Sequence, residues 1–241
     1  MSRRTQTSPH LITHSKAPFD ILVLDVGGTN VKLRASGQKQ LVRIPSGSSM
    51  SARQMMSAVR RKIAGWNIQA VSIGLPGVVV HGRILHEPRN LGKGWVGFDF
   101  AKAFRLPVKV INDAAMQALG SYQGGRMLFL GLGTGLGSAF IVDGRLESLE
   151  LAHLLYRTNC TYEDYVGARA LDRLGKKEWS DHVAVIVKHF RKVLAADYVV
   201  LGGGNVKNLT TLPPRCLLGD NENAFVGGFR LWDYMGANLG Y

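Results

Sequence analysis

The sequence predicts an α/β protein built as two similar lobes around a cleft. Three observations point there. Short apolar runs that read as buried strands alternate with apolar stripes at helical spacing. Glycine turns close strands in both halves of the chain. One unit also occurs twice: Leu24-Asp25-Val26-Gly27-Gly28-Thr29-Asn30 aligns in residue type with Leu130-Gly131-Leu132-Gly133-Thr134-Gly135-Leu136, each a strand, a glycine turn and a returning strand. A duplicated unit implies two lobes with a cleft between them. The expected boundary is near Ala114. Residues 1–19 are expected to be a polar flexible tail, 20–114 the N-terminal lobe and 115–241 the C-terminal lobe, with the last helix able to pack back on the first.

In chain order, Ile21–Val26 is an apolar run entering Gly27-Gly28, and Val31–Ala35 returns from it. Gln40–Ile44 reads as a third strand, closed by Pro45 and Ser46. Ser51–Trp66 reads as a helix, because Met55, Val59, Ile63 and Trp66 share one face. Arg53, Arg60, Arg61 and Lys62 read as its solvated face. Ala70–Gly74 is a strand broken by Pro76-Gly77, and Val78–Val80 and Arg83–Leu85 flank His81-Gly82 as a hairpin. A polar loop runs from His86 to Gly94. Val108–Ile111 is a strand stopping at Asn112-Asp113, and Ala114–Tyr122 is helical in composition. Met127–Gly131 and Ser138–Val142 are strands around a glycine loop, and Asp143-Gly144 makes the next turn. Glu163–Leu174 and Glu178–Ala195 read as helices, the second with Trp179, Val183, Ile186, Phe190 and Val193 on one face. Tyr198–Leu201 is a buried strand entering Gly202-Gly203-Gly204, and the last helix is expected at Phe225–Met235.

With 46% hydrophobic and 20% charged residues, the 241-residue chain is globular rather than disordered. Its 30 Lys and Arg against 17 Asp and Glu give a net charge of +13, which attracts nucleic acid, anionic membrane or polyphosphate. Cys160 and Cys216 match no zinc spacing and no disulfide framework, so reduced thiols in a cytoplasmic protein are expected. No apolar run is long enough to span a bilayer. Met1 to Lys16 carries Arg3 and Arg4 without a following apolar region, so it does not read as a signal peptide.

Several groups of residues have the make-up of a reactive site. In Asp25-x-Gly27-Gly28-Thr29-Asn30, the backbone N–H groups of a glycine turn suit phosphate oxygens. Asp25, at the strand end, is placed to hold Mg²⁺ directly or through water, and Lys32 to neutralise phosphate charge. An ordinary hairpin has the same pattern. Gly131-x-Gly133-Thr134-Gly135-x-Gly137-Ser138 suits close approach of a phosphoryl chain, with Thr134 and Ser138 as hydroxyl donors. It is not a Walker loop, since no Lys-Ser or Lys-Thr follows, nor a Rossmann fingerprint, since a strand follows rather than a helix.

Asn112-Asp113 ends a strand where a carboxylate projects into a cleft and can take the proton of an attacking sugar hydroxyl. An Asx cap for the following helix is the alternative. Glu150 and His153, three residues apart, can face one sugar, a surface histidine being the plainer reading. Leu201-Gly202-Gly203-Gly204-Asn205 is a glycine run expected to open a helix, suited to an anion or a flat ring, or else a simple helix-entry turn.

In this order, these residues resemble the repressor–open-reading-frame–kinase (ROK) sugar kinases, and among them the polyphosphate glucokinases. The resemblance rests on Asp25–Lys32, Gly74-Leu75-Pro76-Gly77-Val78-Val79, Asn90-Leu91-Gly92 with Trp95, Asn112-Asp113-Ala114, Leu132–Ala139, Glu150–Leu154 and Leu201–Gly204. In the second half, Glu163-Asp164-Tyr165 with Ala168-Arg169, then Lys177-Glu178-Trp179, are similar to the polyphosphate branch. The resemblance implies an actin-like ATPase (ribonuclease H-like) fold. It implies Asp113 as the catalytic base, and Asn90, Asn112, Glu150 and His153 as sugar ligands. The donor would lie on Asp25, Gly27, Gly28, Thr29, Asn30, Lys32, Gly133, Thr134 and Gly135, bordered by Gly202, Gly203 and Gly204, with Mg²⁺ as cofactor. Two departures stand out. The family pattern has Gly where this chain has Ala152, whose methyl is expected to tighten or displace the sugar pocket. The cysteine-rich zinc motif that follows the His in most members is reduced to Cys160, so no structural zinc is expected.

The expected activity is transfer of a phosphoryl group from polyphosphate, with ATP as a further donor, to the 6-hydroxyl of glucose. A strictly ATP-dependent hexose kinase and an inactive sugar-binding homologue remain as alternatives. A DNA-binding repressor needs a helix-turn-helix, for which Met1–Phe19 is too short and too polar, so no DNA partner is expected. The expected partners are a glucose-like hexose, polyphosphate or ATP, and a second copy in a homodimer, with no membrane.

Overall fold

The computed structural model describes residues 20–233, so the expected N-terminal tail and the end of the last helix lie outside the described residues. The first half runs β1 (Ile21–Val26), β2 (Asn30–Ala35), β3 (Val42–Pro45), α1 (Ala52–Lys62), β4 (Ala70–Leu75), a hairpin of β5 (Val79–Val80) and β6 (Arg83–Ile84), α2 (Phe100–Phe104), β7 (Val108–Asn112) and α3 (Asp113–Ser121). The second half runs β8 (Arg126–Leu132), β9 (Leu136–Val142), β10 (Arg145–Leu149), a 3₁₀ turn Leu151–His153, β11 (Leu155–Arg157), β12 (Cys160–Thr161), α4 (Glu163–Val166), α5 (Ala168–Val193), β13 (Tyr198–Gly202), a 3₁₀ turn Val206–Asn208, β14 (Cys216–Leu218) and α6 (Asn223–Asp233). Among the described residues no helix is long and apolar enough to cross a membrane.

Two five-stranded sheets share one plan, ordered β3-β2-β1-β4-β7 and β10-β9-β8-β13-β14. In each, three strands form an antiparallel meander and two more join parallel on the far side of the first. The repeated strand–glycine–strand unit is the β1–β2 turn in one sheet and the β8–β9 turn in the other.

Strand alternation divides the core into three layers. From β1, Leu22, Leu24 and Val26 face Met55 and Val59 of α1 together with Trp95 and Phe100. Ile21 and Val23 face the opposite way, toward α3 and α6. From β8, Leu128, Leu130 and Leu132 face Trp179, Val183, Ile186 and Phe190 of α5, while Met127 and Phe129 turn toward α3 and α6. The α3–α6 pair is therefore a helical layer shared by both sheets. It packs at backbone distance because its crossing points are glycines: a Cβ on Gly227 would lie 1.8 Å from Met116 O, and one on Gly120 1.9 Å from Asn223 O. Ser72 Oγ of β4 donates to Gly228 O at 2.6 Å, so α6 sits on the first sheet.

Several element limits differ from expectation. Helix α1 starts at a capping box between Ser51 and Gln54 and closes at Ile63. Trp66 joins the core from the following turn, its N–H donating to Ile63 O at 2.9 Å. The two helices expected from Glu163 to Ala195 are one turn, α4, and a long α5 interrupted at Gly175 (φ 74°, ψ 166°). The third glycine run opens a single 3₁₀ turn, not an α-helix, which removes the helix-terminus argument for an anion there. Helix α2 and strands β10, β11, β12 and β14, each of five residues or fewer, lie outside the elements that the sequence predicts.

Candidate active site

The start of α3 carries Asn112 and Asp113, and the capping falls to the first of them. Asn112 is the cap: its Oδ1 accepts the Ala115 N–H at 3.1 Å, and its Nδ2 donates to Gly77 O at 2.9 Å. Both ends of this buried amide are occupied by structure. Asp113, one residue on, is half-buried and accepts the Ala114 N–H at 2.8 Å. Its carboxyl is pushed up to about 6, first by burial, then by the negative charge of Asp25, against the pull of the Ala114 N–H, with Glu150 adding to the push.

Two glycines let this turn lie between the sheets. A Cβ on Gly74 of β4 would strike the Met116 side chain and stand 3.5 Å from Asp113 Cα. One on Gly137 of β9 would stand 2.8 Å from Ala114 Cβ. The Asp113-Ala114 turn is thus flanked by β4 of the first sheet and β9 of the second.

In the first glycine turn, Gly27 N–H donates to Asn30 O at 2.9 Å, and Ser46 Oγ donates to Gly27 O at 2.6 Å. Gly28 is where the turn meets the 87–95 loop, because a Cβ there would lie 2.9 Å from Asn90 Cβ. That loop is tied down by Glu87, whose carboxylate accepts the N–H groups of Gly94 and Trp95, each at 3.0 Å. Thr29 is exposed. Lys32 lies opposite Asp25 in the β1–β2 register and bonds its carboxylate at 2.9 Å. The ammonium faces Asp25.

The second glycine turn departs from expectation. Four glycines suggested room for a ligand, yet three of them make room for the protein itself. Gly131 lies against Phe129 and Gly137, Gly137 against Ala114, and Gly135 against Glu163, whose Oε2 would be 2.0 Å from an added Cβ. Gly133 alone of the four has open space where a Cβ would be. Gly203 (φ 87°) fits under Leu132, and Asn205 Nδ2 donates to Gly133 O at 2.9 Å, so the third glycine run braces the second turn. Gly202 packs on the Phe129 ring, whereas Gly204 faces open space. Gly133, exposed Thr134 and Gly204 therefore form the accessible rim. Ser138, expected as a ligand hydroxyl, is 3% exposed and tied to Leu149 O at 2.7 Å and Leu151 N at 3.2 Å. It fixes the segment leading to Glu150.

Glu150 and His153 are half-exposed, with Glu150 Oε2 and His153 Nε2 at 3.9 Å. Partial burial raises the Glu150 carboxyl, His153 draws it down and Glu163 pushes it up. Ala152 is 3% exposed and belongs to the core of the second sheet with Leu136, Tyr162 and Trp179. Its methyl packs inward, into that core. Glu163 is the residue that motif reading undervalued: it accepts the Leu136 N–H at 3.0 Å, fills the space at Gly135 and adds its charge to that of Glu150. An acid following a short turn gives no sign of this by itself.

Among the described residues no group of three or more His, Cys, Asp or Glu side chains is placed to cage a metal. Mg²⁺ in phosphoryl-transfer sites needs only one or two carboxylates, with water and substrate phosphates completing the shell. Asp25 beside the first glycine turn fits that donor set. The segment with half-buried Cys160 is supported by aromatic packing, Tyr156 on Tyr162 at 5.0 Å with the Tyr156 hydroxyl 3.2 Å from His182 Nδ1.

This chain is 27% identical to the polyphosphate glucokinase of Mycobacterium tuberculosis over 210 residues, 75% of this chain and 76% of that one. It is 27% identical to the N-acetylmannosamine kinase of Salmonella newport over 142 residues, 52% of this chain and about half (48%) of that protein. The crystal structure of inorganic polyphosphate/ATP-glucomannokinase from Arthrobacter sp. strain KM superposes with a TM-score of 0.73 at 26% identity, over 88% of this chain and 98% of that one. The fold is that of the actin-like ATPases. The sequence pattern of the ROK family matches residues 21–148, more than half of the 241 residues, and the chain belongs to the ROK family.

Proposed function

We propose that this protein is a sugar kinase that transfers a phosphoryl group from polyphosphate, with ATP as a further donor, to the 6-hydroxyl of a glucose-like hexose. The observation that supports this best is Asp113. It stands at the helix turn clasped by both sheets, with its carboxyl raised to about 6 by burial and by Asp25. A carboxylate tuned toward neutral pH is suited to take the proton of an attacking hydroxyl.

In this reading Glu150, His153 and exposed Asn90 hold the sugar hydroxyls, while Asn112 fixes the turn that aims Asp113. The donor lies along the Gly27–Asn30 turn and the rim of Gly133, Thr134 and Gly204. Mg²⁺ near Asp25 would spread the charge of the donor phosphates. Residues 20–114 and 115–241 act as the two lobes that enclose the sugar. The test is formation of glucose 6-phosphate by the purified protein in a coupled assay, with polyphosphate and ATP each as sole donor. Product with polyphosphate supports the full reading, product with ATP alone leaves an ATP-dependent hexose kinase, and no product with either overturns it.

A further inference from the structure

A groove of about 570 Å³ runs between α1 and α2 on the outer face of the first sheet. It is lined by Arg53, Ser57, Arg60 and Arg61 from α1 and by Lys102 from α2, over a floor of Met56 and Phe98. It shares no residue with the Asp113 site. Positions 53, 57, 60 and 61 fall on one side of a helix, so the face that composition assigns to plain solvation meets a second helix across a concave surface. The one acidic residue in the groove, Asp99, is already used, its carboxylate capping α2 through the Lys102 N–H at 2.8 Å. Among the described residues none of the four cations has an ion-pair partner within 4 Å. Arg60 donates to Ala103 O, and Arg61 to Ser57 Oγ at 2.9 Å, so two guanidinium groups are held in place.

Like charges gathered in one groove repel each other, and among the residues that line it the single carboxylate of Asp99 stands against four cations. The missing partner is an anion with several charges. Phe98, the aromatic ring of the groove, is engaged with Phe100 at 4.8 Å. Binding of single-stranded nucleic acid relies on rings free to stack with bases, so the groove suits a chain of phosphates without bases. Its position matches: α1 begins directly after the 46–50 turn, which touches the first glycine turn through Ser46 and the 87–95 loop through Met50. Exposed Arg89 and Lys93 lie on that loop.

We propose that the α1–α2 groove is a second binding site for inorganic polyphosphate, an anchor outside the cleft that holds a long chain while its end is used at the glycine turns. The anchor deepens the reading of polyphosphate as donor and rests on it. Tethering of this kind raises the local concentration of the chain end and favours long donors over short ones.

The test uses Arg53→Gln/Lys102→Gln, whose side chains make no hydrogen bond within the described residues, and the reversal Arg53→Glu/Lys102→Glu in case the milder change is too small to read. Direct binding of long-chain polyphosphate to the protein is measured at several salt concentrations, alongside KM for long-chain polyphosphate and for tripolyphosphate, which has only three phosphates. The expected result is a rise of about tenfold in Kd and KM for the long chain. The log–log salt slope should fall by ~0.7 for each lost contact, with KM for tripolyphosphate and glucose unchanged. Weaker polyphosphate binding in the variants without any polyphosphate-dependent turnover in the wild type would keep the anchor and remove the donor reading. Unchanged binding of the long chain by both variants overturns the anchor, and so does tighter binding of an RNA oligonucleotide than of polyphosphate to the same groove.

Discussion

Glu163 Oε2 accepts the Leu136 N–H at 3.0 Å while its carboxylate fills the space a side chain on Gly135 would need. The second glycine turn therefore contains two kinds of glycine, and substitution separates them. Gly135→Ala displaces the Glu163 carboxylate and with it the bond to the Leu136 N–H, a loss of ~1–3 kcal/mol for a hydrogen bond to a charged group. Gly133 has open space and no left-handed φ, so Gly133→Ala should fold with near wild-type stability and instead raise KM for the phosphoryl donor. Urea unfolding and donor titration on the two variants check this. Equal destabilisation by both would remove the distinction.

The pH dependence follows from Asp113. A base must be unprotonated to act, and burial with the Asp25 charge raises this carboxyl to about 6. Below that pH, kcat/KM should fall about tenfold per unit. Because Asp25 is the largest charged contributor to the rise, the residual activity of Asp25→Asn should show its acid limb at lower pH. A limb that stays in place would mean that another group titrates.

The same shift predicts a trade of stability for activity. Between the ordinary 3.8 and about 6, the folded state binds more protons at Asp113 than the unfolded state does. Stability from this group is therefore full at low pH and is lost as pH rises through the folded value. Asp113→Asn should be more stable than the wild type at pH 7.5, by on the order of 1 kcal/mol given the half-buried side chain. The difference should vanish near pH 4. Thermal unfolding at the two pH values measures it.

Much of this site was legible in the sequence, and the reasons differ by residue. The strand–glycine–strand units at Asp25 and Leu132 were visible because turn chemistry is local, and their repetition matches the shared order of the two sheets. Asn112-Asp113 was legible as a pair, but not which of the two caps the helix, since that is decided only by which side chain meets Ala115 and Gly77. The roles of Ser138, Ala152 and Glu163 depend on neighbours from elsewhere in the chain, namely Leu149, the α5 core and Gly135. The short strands β10 to β12 and β14 bury too few side chains to leave a period in the sequence.

In the proposed mechanism Asp25 exchanges one cation for another. Lys32 bonds it at 2.9 Å across the β1–β2 pair, and a part-exposed pair of this kind contributes ~0–1 kcal/mol, little enough for Mg²⁺ with its phosphates to displace. Activity should vanish in excess EDTA and return with added Mg²⁺. Asp25→Ala should raise the Mg²⁺ concentration needed for half-maximal rate. Full turnover in EDTA would show that no divalent ion takes part.

The measurement closest to the central claim is turnover of Asp113→Asn with glucose and each donor, beside glucose binding by the same variant. The amide keeps the shape and the stability comparison shows that the protein is folded, so loss of the base is what remains to be read. General-base catalysis contributes ~10²–10⁴-fold. The account predicts a fall in kcat of that order with glucose binding largely kept, and near-normal turnover in Asp113→Asn would contradict it.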